Sequence, residues 1–102
     1  MRIVLTSEAI GDLRYIFNWY KENVSEEIAS KIIFKVLEST KQLKLFPESC
    51  QVEEDLKPLG RNHRRLVVGN YKVVYRIAEE DIVIDSVYDA RQDPQKLIKK
   101  LE

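Results

Sequence analysis

Apolar residues recur along this chain with two different periods, and the change of period divides it into two halves. Arg2 to Leu5 is a short β-branched run, and Thr6-Ser7 followed by Glu8 supplies a helix cap with an acid in the first turn, so a strand gives way to a helix near Ser7. Ile10, Leu13, Ile16, Phe17 and Tyr20 keep three-to-four spacing and predict the buried stripe of that helix. The cluster Phe17-Asn18-Trp19-Tyr20 reads as helix–helix packing rather than as a platform on which bases stack. Ser25, with Glu26 and Glu27 behind it, restarts the helical signal; Ile28, Ile32, Ile33, Val36, Leu37 and Leu43 carry a second stripe that ends at Phe46-Pro47. Two helices joined by a few residues near Asn23 must run antiparallel, as a helical hairpin.

Glu48 to Asn62 has no sustained period and reads as a long connection with room for one short extended segment. The period then becomes two. Arg64 to Val68 and Tyr71 to Ile77 flank Gly69-Asn70, a strong hairpin signal, and Ile82 to Tyr88 supplies a third strand. Asp93-Pro94 starts a short C-terminal helix, with Asp93 as cap and Leu97, Ile98 and Leu101 as its docking side. The predicted fold class is α+β: an N-terminal strand, a helical hairpin, an antiparallel three-strand meander and a C-terminal helix.

With Gly69 and Asn70 as the turn, Val68 lies opposite Tyr71, Val67 opposite Lys72, Leu66 opposite Val73, Arg65 opposite Val74, Arg64 opposite Tyr75 and His63 opposite Arg76. Opposite residues share a face. One face then carries Leu66, Val68, Tyr71, Val73, Tyr75 and Ile77, continued by Ile82, Ile84 and Tyr88; it is the expected core, under the helices. The other carries Arg61, His63, Arg65, Val67, Lys72, Val74 and Arg76, joined by Val83, Asp85, Val87 and Asp89, and is expected to face solvent. Asp85 is expected opposite Val74, pairing with Arg65 or Lys72. Exposed valines among the charges mark a surface for a partner chain to cover.

Length, charge and cysteine usage narrow the classes. A chain of 102 residues is one domain, here residues 1–102. Lys+Arg and Asp+Glu are both 17, which argues against a general nucleic-acid coat. The distribution is uneven: Leu56 to Ala78 holds 6 Lys and Arg and no acid, one local positive field between two acidic segments. A single cysteine, Cys50, and the absence of an apolar leader or a long apolar run lead to the expectation of a cytoplasmic protein without a membrane segment. There is no metal-ligand spacing and no Gly-rich phosphate loop, so neither metal nor cofactor is expected.

The stretches Val68-Gly69-Asn70-Tyr71-Lys72-Val73-Val74-Tyr75-Arg76-Ile77 and Ile82-Val83-Ile84-Asp85-Ser86-Val87-Tyr88-Asp89-Ala90-Arg91-Gln92-Asp93-Pro94, in this order of elements, resemble the RelE/ParE superfamily of bacterial toxins. The resemblance spans nearly the whole chain. It implies the toxin of a type II toxin–antitoxin pair, often described as a plasmid stabilisation protein, and it implies one of two chemistries. RelE-like members cleave messenger RNA in the ribosome, whereas ParE-like members block DNA gyrase without cutting anything themselves.

Cleavage by the RNA's own 2′-hydroxyl needs a group to take that proton, a cation for the developing phosphorane charge and an acid for the leaving oxygen. For a metal-free endoribonuclease, Arg65, Lys72, Arg76 and Arg91 are the candidate catalytic cations. The superfamily's ribonucleases usually carry Arg where Lys72 stands and add a His or Tyr near the C-terminus. Here Asp89 stands where His is frequent, Tyr88 is expected on the core side, and the one histidine, His63, lies beside a loop. These departures favour the ParE-like reading, inhibition of DNA gyrase; the alternatives are ribosome-dependent cleavage of messenger RNA and a non-toxic binding homologue. In each case the expected binding surface is Arg61, His63, Arg65, Val67, Lys72, Val74, Arg76, Asp85 and Arg91. A separately encoded antitoxin is expected to lay a helix or strand across it, with acids against the arginines.

Overall fold

A computed structural model describes residues 1–102. The chain runs β1 (Arg2–Leu5), α1 (Ser7–Asn23), α2 (Glu26–Thr40), β2 (Arg64–Val68), β3 (Tyr71–Ala78), β4 (Asp81–Asp89) and α3 (Pro94–Leu101), with 3₁₀ turns at Lys41–Lys44 and Glu54–Leu59. The caps form as the residue types dictate. Thr6 Oγ1 accepts the Ala9 N–H at 3.2 Å and Ser25 Oγ accepts that of Ile28 at 3.1 Å, satisfying donors that a helix start leaves open. Asp93 caps α3 through the Gln95 N–H, with Pro94 in the first turn.

The strands form one sheet in the order β1-β4-β3-β2, with β1 parallel to β4 and the other neighbours antiparallel. The α+β class and the order of elements are those the sequence predicts. Gly69 adopts φ +59°, as the first central residue of a two-residue hairpin turn requires, and the β2–β3 register is the one derived from Gly69-Asn70, pair for pair. The extended segment foreseen in the connection is a single bridge, Val52 opposite Arg64.

The helical hairpin covers one face of the sheet. Leu13 and Ile16 of α1, Val36 of α2 and Leu43 beyond it pack on Leu66, Val68, Val73, Tyr75, Ile82, Ile84 and Val87. Buried Tyr75 directs its hydroxyl to the Pro47 carbonyl at 2.7 Å, which ties the long connection to the core. The helix stripes sit slightly off their predicted positions. Ala9 and Ala29 are buried, whereas Ile10, Ile28 and Leu37 are exposed; the small side chains take the positions of closest approach, and the larger ones turn outward.

Two expectations fail at one place in β4. Val74 pairs with Ser86 and Tyr75 with Ile84, so Asp85 is an extra residue, a β-bulge. One inserted residue reverses the facing of all that follows it. Val87 therefore lies in the helix-covered core and Tyr88 on the opposite face, the reverse of the prediction, and Asp89 pairs with Tyr71 rather than joining the cations. The Val87 N–H finds its acceptor across the chain in Asp12 Oδ2 of α1, at 2.9 Å, and the buried Ser86 hydroxyl donates to the same oxygen at 2.8 Å. Asp12 thus supplies from a helix the hydrogen bonding that an unbroken ladder would have given.

Candidate functional site

The sheet face away from the hairpin is covered too. Leu56 from the 3₁₀ turn and Leu97 and Leu101 from α3 close over Val74, which is 0% exposed, with Leu59, Tyr88 and Ile98 at the margin. Of the valines expected to line an open surface, only Val67 is well exposed, at 59%; Val74 and Val87 are buried.

Beneath this cover the predicted cations are engaged one by one. Arg76 Nε donates to Asp85 Oδ2 at 2.8 Å, and His63 Nε2 lies at 2.8 Å from the same oxygen. Asp85 therefore pairs with Arg76 and His63, not with Arg65 or Lys72. The bulge explains why: the inserted residue aims its carboxylate at the far end of β3. Burial raises the pKa of Asp85, but the hydrogen bonds from His63 and Arg76 outweigh it and hold the carboxyl below its ordinary range. An ionised carboxylate only accepts, so His63 Nε2 carries the proton, and His63 Nδ1 is left buried without a partner.

Lys72 and Arg65 converge on Glu53, a buried acid in the connection that no local pattern singles out. Its Oε2 lies 3.4 Å from Lys72 Nζ and 3.9 Å from Arg65 Nη1. Arg65 also donates to the Val52 carbonyl at 2.7 Å and to Gln51 Oε1 at 2.6 Å, and the Lys72 ammonium lies 5.8 Å from the Tyr88 ring centre, over its face. Arg61 donates to the Leu101 carbonyl at 3.0 Å and so holds the end of α3. The face expected to be a solvated basic surface is partly covered, and its cations are half-buried in ion pairs. Arg65, Lys72 and Arg76 are brought together there with His63, Val74 and Asp85; Arg61 lies at its rim, and Val67 stands outside it.

Arg91 is elsewhere. It lines an open cleft of about 370 Å³ between α1, the end of β4 and α3, with Tyr15, Trp19, Tyr20, Tyr71, Lys96 and Lys100 among its neighbours. Its Nε and Nη2 clasp the Asp89 carboxylate, whose pKa that contact lowers. Lys100 is bound to Asp12, which pins α3 to α1 at the cleft floor. Trp19, read from the sequence as packing, is 47% exposed and Tyr15 is 69% exposed. Both fall off the Leu13–Ile16–Tyr20 stripe, and that offset was the available signal.

With this geometry established, comparison with known proteins assigns a family. Residues 3–94 match the model of the ParE toxin of the type II toxin–antitoxin system parDE. The chain is 29% identical over 92 residues to Toxin ParE3 of Caulobacter vibrioides, covering 90% of this chain and 89% of that protein. Its fold matches a chain of the chromosomal ParDE system of P. aeruginosa with a TM-score of 0.75 at 20% identity, over 87% of this chain and 95% of the other. The chain therefore belongs to the ParE toxins of type II toxin–antitoxin systems.

Proposed function

We propose that this ParE-family toxin arrests growth by binding DNA gyrase, making and breaking no bond itself, and that a separately encoded antitoxin holds it silent in the cytoplasm. One observation carries the choice against RNA cleavage. Arg65, Lys72 and Arg76, the cations a metal-free nuclease of this fold would turn on a phosphate, are half-buried and directed at Glu53, Asp85 and the Val52 carbonyl. A cation held by a buried carboxylate has its field largely cancelled where a scissile phosphate would need it. Of the four candidates, Arg91 alone lines an open cleft, apart from the other three.

The antitoxin binds away from the outer sheet face, because α3 already packs there. Phe34 and Leu37 of α2, and Leu45 and Phe46 just beyond its end, are exposed large apolar residues. They supply the anchors that an amphipathic partner segment buries.

Expression alone should stop growth, and co-expression of a cognate antitoxin should restore it. Purified protein should abolish supercoiling by gyrase and leave messenger RNA whole in a translating extract. Cut transcripts with unimpaired gyrase would overturn the gyrase assignment, and normal growth with abundant folded protein would overturn the toxin reading.

A further inference from the structure

The cleft between α1 and α3 has two unlike walls. On α1, Tyr15 and Trp19 stand four residues apart on one side of the helix, both well exposed, and the Trp19 ring meets Tyr20 edge to face at 4.9 Å. On α3, Lys96 and Lys100 have the same four-residue spacing, and Arg91 stands where the chain enters that helix. The acids among them are already engaged. Asp12 is held by Lys100, Ser86 and the Val87 N–H, Asp89 by Arg91, and Asp93 accepts the Gln95 N–H as the α3 cap. Two sets of donors are left over: Lys96 forms no ion pair, and Arg91 Nη1 makes no hydrogen bond. The cleft volume, about 370 Å³, lies at the low end for small-ligand sites, so it suits one compact ligand.

We propose that this cleft binds a single nucleotide unit, its base stacked on Trp19 beside Tyr15 and its phosphate held by Lys96 and Arg91 Nη1. An aromatic face is indifferent to base identity, and a guanidinium already fixed in orientation by Asp89 loses little freedom when it meets a phosphate. The site therefore recognises the combination of a flat ring and an anion rather than a particular base. The same unit comes either as a free mononucleotide or as an unstacked base in a single strand. The proposal is independent of the toxin's target and stands or falls without it.

Trp19 is the one tryptophan of the chain, so its emission reports on the cleft directly. The intact protein is titrated with AMP, with adenosine and with a single-stranded thymidine oligonucleotide, following Trp19 fluorescence and, for variants lacking the indole, heat of binding. Saturable quenching by AMP, with adenosine about tenfold weaker, is the expected result. Tighter binding of the oligonucleotide than of AMP identifies the strand as the source, and the reverse identifies the free nucleotide. Trp19→Ala should weaken AMP binding by about tenfold, and Trp19→Phe should retain most of it. Lys96→Glu should remove the preference for AMP over adenosine, while the melting temperature shows that each variant is folded. No response to either phosphate ligand, or an unchanged affinity in folded Trp19→Ala, would overturn the proposal.

Discussion

The two faces of the sheet are covered to different extents and by different means. Under the helical hairpin, 12 buried apolar residues form one cluster, with the Asp12 carboxylate at its edge. Under α3 and the 54–59 turn, only Leu56, Val74, Leu97 and Leu101 make the apolar contact, and they sit beside the carboxylates of Glu53 and Asp85 with the cations that answer them. The first face is held by area removed from water, which tolerates approximate geometry; the second depends on pairing, and loss of one partner leaves a charge stranded in a poorly solvated place. A local excess of Lys and Arg therefore does not by itself mark a functional surface. What decides is whether a segment distant in sequence brings the acids.

The largest effect is expected on the apolar face. Ile84→Ala should lower the unfolding free energy by about 3–4 kcal/mol in chemical denaturation, because its site is closed on all sides and cannot collapse. Arg76→Ala comes next, at about 2–3 kcal/mol. It leaves the buried Asp85 with His63 alone, and the figure sits below that for a fully buried pair because the Arg76 side chain is 30% exposed. An equal loss for Arg76→Ala and Val67→Ser would remove the distinction between interior and exposed positions on that face. Val67→Ser itself should change stability by less than about 0.5 kcal/mol, being exposed and without a charged partner.

Acid separates the faces without mutation. The Asp85 carboxyl has a folded pKa below its unfolded one, so the stability it contributes is complete above the unfolded value and is lost as the pH falls through the folded value. The stability gap between this protein and Asp85→Asn should be full at neutral pH and close below about pH 4. Ile84→Ala should show a gap independent of pH over the same range.

Where local chemistry decides, the sequence is a sufficient guide. Gly69-Asn70 sets the β2–β3 register, and Thr6, Ser25 and Asp93 cap their helices as expected. It fails where the deciding partner is remote. The bulge at Asp85 is sustained by Asp12, more than seventy residues away, and no pattern within β4 announces it. Glu53 lies in an aperiodic connection, and its burial follows from the Val52–Arg64 bridge and the cover of Leu56, neither of which has a local signature. The cleft leaves a fainter trace: Trp19 sits in a run of aromatic residues that resembles a helix interface, although its position falls outside the buried stripe.

A double-mutant cycle on Arg76 and Asp85, measured by denaturant unfolding at neutral pH, asks directly whether the cations of the outer face belong to the interior. A coupling energy of at least about 1.5 kcal/mol, weakening as the carboxyl is protonated, is the expected result. Coupling near zero, with both single variants as stable as the parent, would mean that Arg76 is a free surface charge and would return the basic face to solvent and to function.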